Sequence, residues 1–298
     1  MATSFFSSRK RCCHQCLKRT VTVGEQEVTE YYHRGVVCHL IGQEGLAIPL
    51  DVQLQRPGEG EVPAAKRLLE RVFANYGRYF DGVVVDGLYF EAPFINFCLE
   101  HRKHVVVVVK GDRRLLLQDA QGLFSQRNPD GQWNDGRRTV QYWDAEGFTS
   151  SEGVSQPLRV LHARENERRR QRIAGKWVDA EQNYSWYWAT TLPRTQLSSR
   201  LLWRVGHWRW DIENECFNTT STHWGLDHAF KHEPTAIINF LLTLFLAFVL
   251  LQCFWRRNLK PPLRDRLTLI GLADELFAAL AGANCGAVRQ CAPRARGP

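Results

Sequence analysis

The sequence predicts an α/β protein, a mixed sheet flanked by helices with a β-rich insertion set late in the chain. Three observations carry that expectation. Two runs, GVVVDG at 82–87 and HVVVVV at 104–109, are apolar on both faces, as strands are when helices cover both sides of a sheet. Segments with the 3.6-residue apolar period separate these runs from their neighbours. From 128 to 156 the composition shifts to glycine, asparagine, aspartate and tryptophan, and short β-prone stretches follow, so 128–193 reads as a β-rich insertion.

Each element follows from local pattern. Residues 28–41 (VTEYYHRGVVCHLI) are β-branched and aromatic and read as a strand. After the turn IGQEG, Leu46, Ile48, Leu50, Val52 and Leu54 alternate with Ala47, Pro49, Asp51, Gln53 and Gln55. That period of two predicts a strand with one buried face, paired to the first as an antiparallel hairpin, and Pro49 places it toward an edge. Residues 61–76 space Ala65, Leu68, Leu69, Val72, Phe73 and Tyr76 as an amphipathic helix. Residues 92–101 predict a connecting helix with Phe94, Phe97 and Cys98 inward, and residues 113–124 another, with Asp112 as its N-cap. Within 128–193, LRVLHARE and YSWYWATTL read as strands on either side of the basic run RENERRRQRIAGK. From Gln196 to about Ala281 the pattern is helical, and the last residues are expected to be disordered.

Composition narrows the class. A net charge of +8 favours a polyanionic partner, nucleic acid before membrane. The N-terminal ATSFFSSRKRCC lacks the apolar stretch of a signal peptide, and nine cysteines without framework spacing point to a reducing compartment and free thiols. Residues 236–255 carry no charge and are long enough to span a bilayer, but Asn239, Thr243 and Gln252 interrupt them, so a core helix is expected.

The carboxylates offer the chemistry. Asp86 closes GVVVDGLY at the C-terminal end of a central strand, where α/β sheets place ligands; alternatively it caps the following turn. Gly87 lets another group approach closely. The stretch HWRWDIENECF, 207–217, mixes bulky aromatics with charge. On a helix Arg209, Glu213 and Phe217 fall at i, i+4 and i+8, with Trp210 and Asn214 one step round. A Glu213 facing a core seam needs either Arg209 as an ion pair or a cation shared with a second carboxylate. Phosphodiester cleavage and strand transfer use two divalent ions about 4 Å apart, and magnesium takes hard oxygen ligands.

On these residues the chain resembles the DDE transposases of bacterial insertion sequences, in the branch named after insertion sequence 4. Its signature is Y-x2-R-x3-E-x6-K, whose centre Arg209 and Glu213 match, while VVVDGLY resembles the strand of the second acid. YYHRGVV, QRPGEGEVPAAKRLLERV and GLDHAFKHEPTAIINF share the family's look, so the resemblance covers most of residues 12–255. It implies an RNase H-like core formed by 1–127 and 194–283, an insertion at 128–193 and a tail at 284–298. It also implies two Mg2+ (or Mn2+) ions held by Asp86 and Glu213, DNA contacts from Arg209, Trp210 and Asn214, and transposon ends and target DNA as partners. A homodimer on DNA and a cytoplasmic, nucleoid-associated location go with it.

Three departures stand against full activity. The signature tyrosine falls at Gly206, the lysine at Thr220, and no aspartate precedes Asp51, whose register differs from that of the first acid. The expectation is a transposase lacking its first strand and first catalytic Asp; the alternative is an inactive remnant that binds DNA or a full-length copy.

Other features carry competing readings. Arg168, Arg169, Arg170 and Arg172 suit phosphate, yet Glu165 and Glu167 among them fit a solvated helix equally. Trp133, Trp143, Trp177, Trp186 and Trp188 are expected in the core, although the resemblance offers one of them for stacking on a flipped base. CCHQC at 12–16 invites zinc, but its partners would be His33 and Cys38, which an offset of five on a strand points to opposite faces; ordinary thiols are expected. His228 and His232, at i and i+4 of a helix, are expected to cap or pack.

Overall fold

The computed structural model describes residues 2–42, 46–111, 115–136, 138–173, 176–211, 216–226 and 231–282. Its strands are β1 (Ala2–Ser8), β2 (Leu17–Val23), β3 (Gln26–Gly42), β4 (Leu46–Leu54), β5 (Gly82–Val85), β6 (His104–Val108), β7 (Gly131–Asp135), β8 (Arg138–Phe148), β9 (Leu158–Ile173) and β10 (Lys176–Thr190). Its helices are α1 (Glu61–Tyr76), α2 (Ala92–Glu100), α3 (Leu115–Ser125), α4 (Ser199–Asp211), α5 (Asn218–His223), α6 (Pro234–Arg257), α7 (Pro261–Arg264) and α8 (Leu269–Leu280). They form two compact units, Met1–Thr3 with Arg34–Glu213, and Ser4–His33 with Asn214–Pro298.

In the first unit the two valine runs become parallel neighbours, Gly82 opposite His104 through Val85 opposite Val107. The sheet continues β5-β6-β10-β9-β8-β7, with β10 antiparallel to β6 at Trp188–Val108 and Thr190–Val106. Alternation then sorts the side chains. Val105 and Val107 pack with Leu68 of α1, Phe94 of α2 and Leu116 of α3, whereas Val106 and Val108 pack with Leu161, Trp188 and the α4 residues Leu202 and Trp203. Helices thus cover both faces, which is why both phases of the valine runs are apolar; each fully buried valine contributes about 1.5–3 kcal/mol. The β-prone segment within 128–193 forms β7 to β10, strands of this same sheet.

The hairpin of β3 and β4 pairs Gly35 with Leu54 and Gly42 with Leu46, but the register shifts at Cys38 and His39, which face Asp51 and Pro49. Leu50 is therefore left over as a bulge. The bulge reverses the faces: Val52 and Leu54 are buried as their period predicts, while beyond it Ala47 and Pro49 are buried instead.

The basic run at 164–176 is strand and not helix. β9 pairs with β8 only from Leu158 to Glu167, so Arg168–Ile173 and Lys176–Glu181 extend as a two-stranded ribbon. Period two explains the interleaved charges. Glu165 and Glu167 turn inward and are buried, while Arg164, Arg168, Arg170 and Arg172 are exposed on the alternate face.

In the second unit β2 and β3 form a hairpin from Leu17–Tyr32 to Val23–Gln26. Glu233 caps α6 by accepting from the backbone N–H of Thr235 and Ala236. One stripe of α6 (Ile237, Leu241, Phe245, Phe248, Leu251) is buried, and its Leu251 packs with Leu259, just past the end of α6, and with Leu272 of α8, while Leu242, Leu246 and Leu250 are exposed. Among the described residues α6 is one helix long and apolar enough to cross a membrane; the core-helix expectation holds for one of its faces. The expected N-cap Asp112 and the tail at 284–298 lie outside the described residues.

Candidate functional site

Asp86 sits where β5 ends, and it does cap the next turn: Oδ1 accepts from the Gly87 N–H at 2.7 Å. The same oxygen faces Lys110 Nζ at 3.7 Å, and the side chain is 45% exposed. Its Oδ2 makes no hydrogen bond or ion pair to a described residue. The capping and ligand readings are therefore compatible, since one oxygen is committed to the turn and the side chain is half-exposed. Gly87 does permit a close approach, and the approaching group is β6: a Cβ there would lie 3.0 Å from the Val108 carbonyl.

Asp86 lines a cavity of about 630 Å3 walled by Val36–Ile41 of β3, by β5, by Leu68 and Leu69 of α1, and by Val205, Trp208 and Arg209 of α4. Arg209 is buried, and it lines the same cavity as Asp86. Glu61 lines it too, but is engaged: Tyr89 Oη donates to its Oε1 at 2.7 Å and Arg34 Nη2 to its Oε2 at 3.0 Å. Burial, then the charge of Glu61, pushes the Tyr89 hydroxyl well above its ordinary range, so it stays a donor. Glu213 and Asn214 lie outside the described residues, and so does any Arg209–Glu213 pair. Asp51 is engaged by Arg71, at 2.9 Å from Nε, and by the Val52 N–H.

Two departures from the signature have packing reasons. A Cβ at Gly206 would fall inside the Trp188 indole, so no tyrosine fits at that position of α4. Thr220 is fully buried and donates its hydroxyl to the Cys216 carbonyl at 2.7 Å, which leaves nothing to meet a phosphate.

The aromatics of the 207–217 stretch are structural on their inner side. His207 Nε2 and Trp203 Nε1 both lie 2.7 Å from Glu165 Oε1, and Arg138 Nη1 approaches its other oxygen at 3.7 Å. Burial alone would raise the Glu165 pKa, but the His207 hydrogen bond and charge hold it below the ordinary value. Trp210 is 36% exposed and meets Trp186 edge to face at 5.1 Å. The densest charge in the core went unread in the sequence. Arg159 donates from Nε and Nη2 to both oxygens of Asp144, at 2.9 and 2.6 Å, and Ser199 donates to Oδ2 at 2.6 Å. Burial raises and these bonds lower the Asp144 pKa; the balance is a shift down. Only the alternation of β8 and β9, which turns Asp144 and Arg159 inward, could have signalled the pair.

The ribbon presents the other candidate surface. Arg168 is exposed beside Glu181, 3.2 Å from Nε to Oε1, and Arg169 lies 3.8 Å from Glu167. Arg170 sits opposite Asp179 in the register, and Arg172 opposite Trp177. Of the five tryptophans between 133 and 188, Trp143 and Trp188 are buried, Trp133 packs on Trp203, Trp186 on Trp188, and Trp177 alone is largely exposed, at 62%.

For a hard divalent ion the described residues offer Asp86, half-exposed with an oxygen to spare, on a cavity whose wall also includes Asp81. That donor chemistry fits magnesium or manganese as one ligand of a larger set. A family model described as Transposase DDE domain matches residues 18–250. No curated protein matches the chain. With the match spanning most of its length, both carboxylate-bearing segments included, the chain belongs to the transposase DDE domain family.

Proposed function

We propose that the chain is a transposase of the insertion sequence 4 branch, with an RNase H-like core and β7–β10 as its insertion. Its ancestral reaction is metal-dependent cleavage of DNA at element ends and joining of the freed 3′ hydroxyl to target DNA. Asp86 and Glu213 are the ligands for magnesium or manganese. When bound, such ions activate the attacking oxygen and stabilise the leaving one. Arg209 holds Glu213 or meets a phosphate, Trp210 and Asn214 flank the DNA, and Arg168, Arg169, Arg170 and Arg172 track its backbone. The protein acts in the cytoplasm at the nucleoid, as a homodimer on DNA. The observation that carries the reading is the shared cavity wall of Asp86 and Arg209.

The same cavity supports a chain that lacks the first acid. It is lined on one side by Val36–Ile41 of β3 and on another by β5, the end strand of its sheet, a setting suited to one further strand. This favours, as a second reading, an inactive remnant that binds DNA or a full-length copy. A strand-transfer assay with magnesium and element-end DNA tests both. Little or no joining by this chain alone, with DNA binding kept, is expected. Robust joining would overturn the missing-acid reading, and absence of DNA binding would overturn the transposase and remnant readings together.

A further inference from the structure

Three potential metal ligands, Cys13, Cys16 and His33, cluster inside the second unit, and a fourth, His232, adjoins Cys16. Cys13 and Cys16 lie on one turn, closed by the Cys16 N–H donating to the Cys13 carbonyl at 3.2 Å. His33 comes from β3 and His232 from the non-helical residues just before α6. His33 Nε2 lies 3.4 Å from Cys13 Sγ and 3.5 Å from Cys16 Sγ. The two sulfurs are 3.6 Å apart, and His232 Nδ1 is 3.2 Å from Cys16 Sγ. Cys16, His33 and His232 are buried, whereas the neighbouring Cys12 and His14 are exposed.

These separations have a geometric meaning. Zinc bonded to sulfur at about 2.3 Å and to nitrogen at about 2.0 Å in a tetrahedron sets S–S edges of about 3.8 Å and S–N edges of about 3.5 Å. The three edges among Cys13, Cys16 and His33 match these within a few tenths of an ångström, and their ligand atoms all lie within 4.8 Å of one another. His232 meets this group at Cys16 alone, and would close on the other two ligands when the ion binds. A disulfide would bring the sulfurs to about 2.05 Å, which they are far from. The Cys13 N–H also points at Cys16 Sγ, at 3.2 Å, a donor suited to a thiolate.

We propose that Cys13, Cys16, His33 and His232 are the ligands of a structural zinc ion. Four protein ligands close the coordination sphere and leave no open position for substrate, which is the mark of a structural site. The ion would tie the 13–16 turn, β3 and the entry to α6 together across 216 residues of sequence between Cys16 and His232. It would stabilise the unit through its folded state, because the ligands are far apart in the unfolded chain. The zinc reading of CCHQC by itself failed for want of a second half: the partner of His33 is His232 and not Cys38. Residues 231–233 are not helical, so His232 belongs to the approach to α6; His228 lies outside the described residues.

The test is metal analysis of the purified full chain by mass spectrometry, together with cobalt titration of protein stripped of zinc. One zinc per chain is expected, retained in Cys12→Ser and His14→Ala and lost at least tenfold in Cys16→Ala and His232→Ala. Should those variants fail to fold, the stripped wild-type chain decides: cobalt should give the intense visible bands and thiolate charge-transfer absorption of a tetrahedral S2N2 site. Less than a tenth of a zinc per chain with a weak six-coordinate cobalt spectrum would overturn the proposal. So would a Cys13–Cys16 disulfide in protein prepared under reducing conditions. The outcome is independent of transposase activity.

Discussion

Trp188 of β10 presses its indole against the backbone of Gly206 in α4, leaving no room for a side chain. In an open helix, Gly→Ala would stabilise by about 1 kcal/mol. Here the clash decides the sign, and Gly206→Ala should destabilise by about 1–3 kcal/mol. Urea unfolding followed by tryptophan fluorescence measures it; a variant as stable as the parent would contradict the packing.

Asp144 and Arg159 form a nearly solvent-free pair, both at most 2% exposed. Removing one partner strands a charge, so Asp144→Ala should cost about 3–5 kcal/mol. Pairing it with Arg159→Met should recover part of that loss, since no buried charge is then left uncompensated. Denaturation midpoints of the two single variants and the double variant give the coupling, and simple additivity would refute the pair's role.

The ribbon arginines should set the salt dependence of DNA binding. Replacing Arg168, Arg170 and Arg172 by Ala leaves up to three phosphates without their cation, and the slope of log affinity against log salt should fall by about 0.9 for each phosphate no longer neutralised. Anisotropy of a labelled duplex at several salt concentrations reads this directly. An unchanged slope would move the DNA surface elsewhere.

His162 is stacked between Tyr187, at 4.1 Å, and Trp143, at 4.9 Å. Burial first, then the Arg164 charge, lowers its pKa from 6.5 to about 4. On acidification the unfolded chain takes up this proton before the folded one does. Its contribution is therefore complete above about pH 6.5 and is lost as pH falls toward 4, at up to about 1.36 kcal/mol per pH unit. His162→Phe keeps the stack and should flatten stability against pH in that window; an identical slope would show that the group titrates as if exposed.

What the sequence disclosed was what local period encodes. The valine runs named two strands with helices on each side, and the 61–76 spacing matched α1. The basic run was weighed between phosphate contacts and a solvated helix; the long pairing with β10 makes it a strand, because interleaved Glu and Arg also suit a period of two. Asp86 was readable at the end of its strand, and its capping reading holds. Gly206 and His232 were not readable, because their meaning lies in Trp188 and in Cys16, which only the folded chain brings near.

The central claim, that Asp86 and Glu213 hold catalytic divalent ions, is tested most directly by manganese binding to the full chain. Electron paramagnetic resonance counts bound Mn2+ in the wild type, Asp86→Asn and Glu213→Gln. The wild type should bind Mn2+, and binding should weaken at least tenfold in each variant. Equal binding in all three would contradict it.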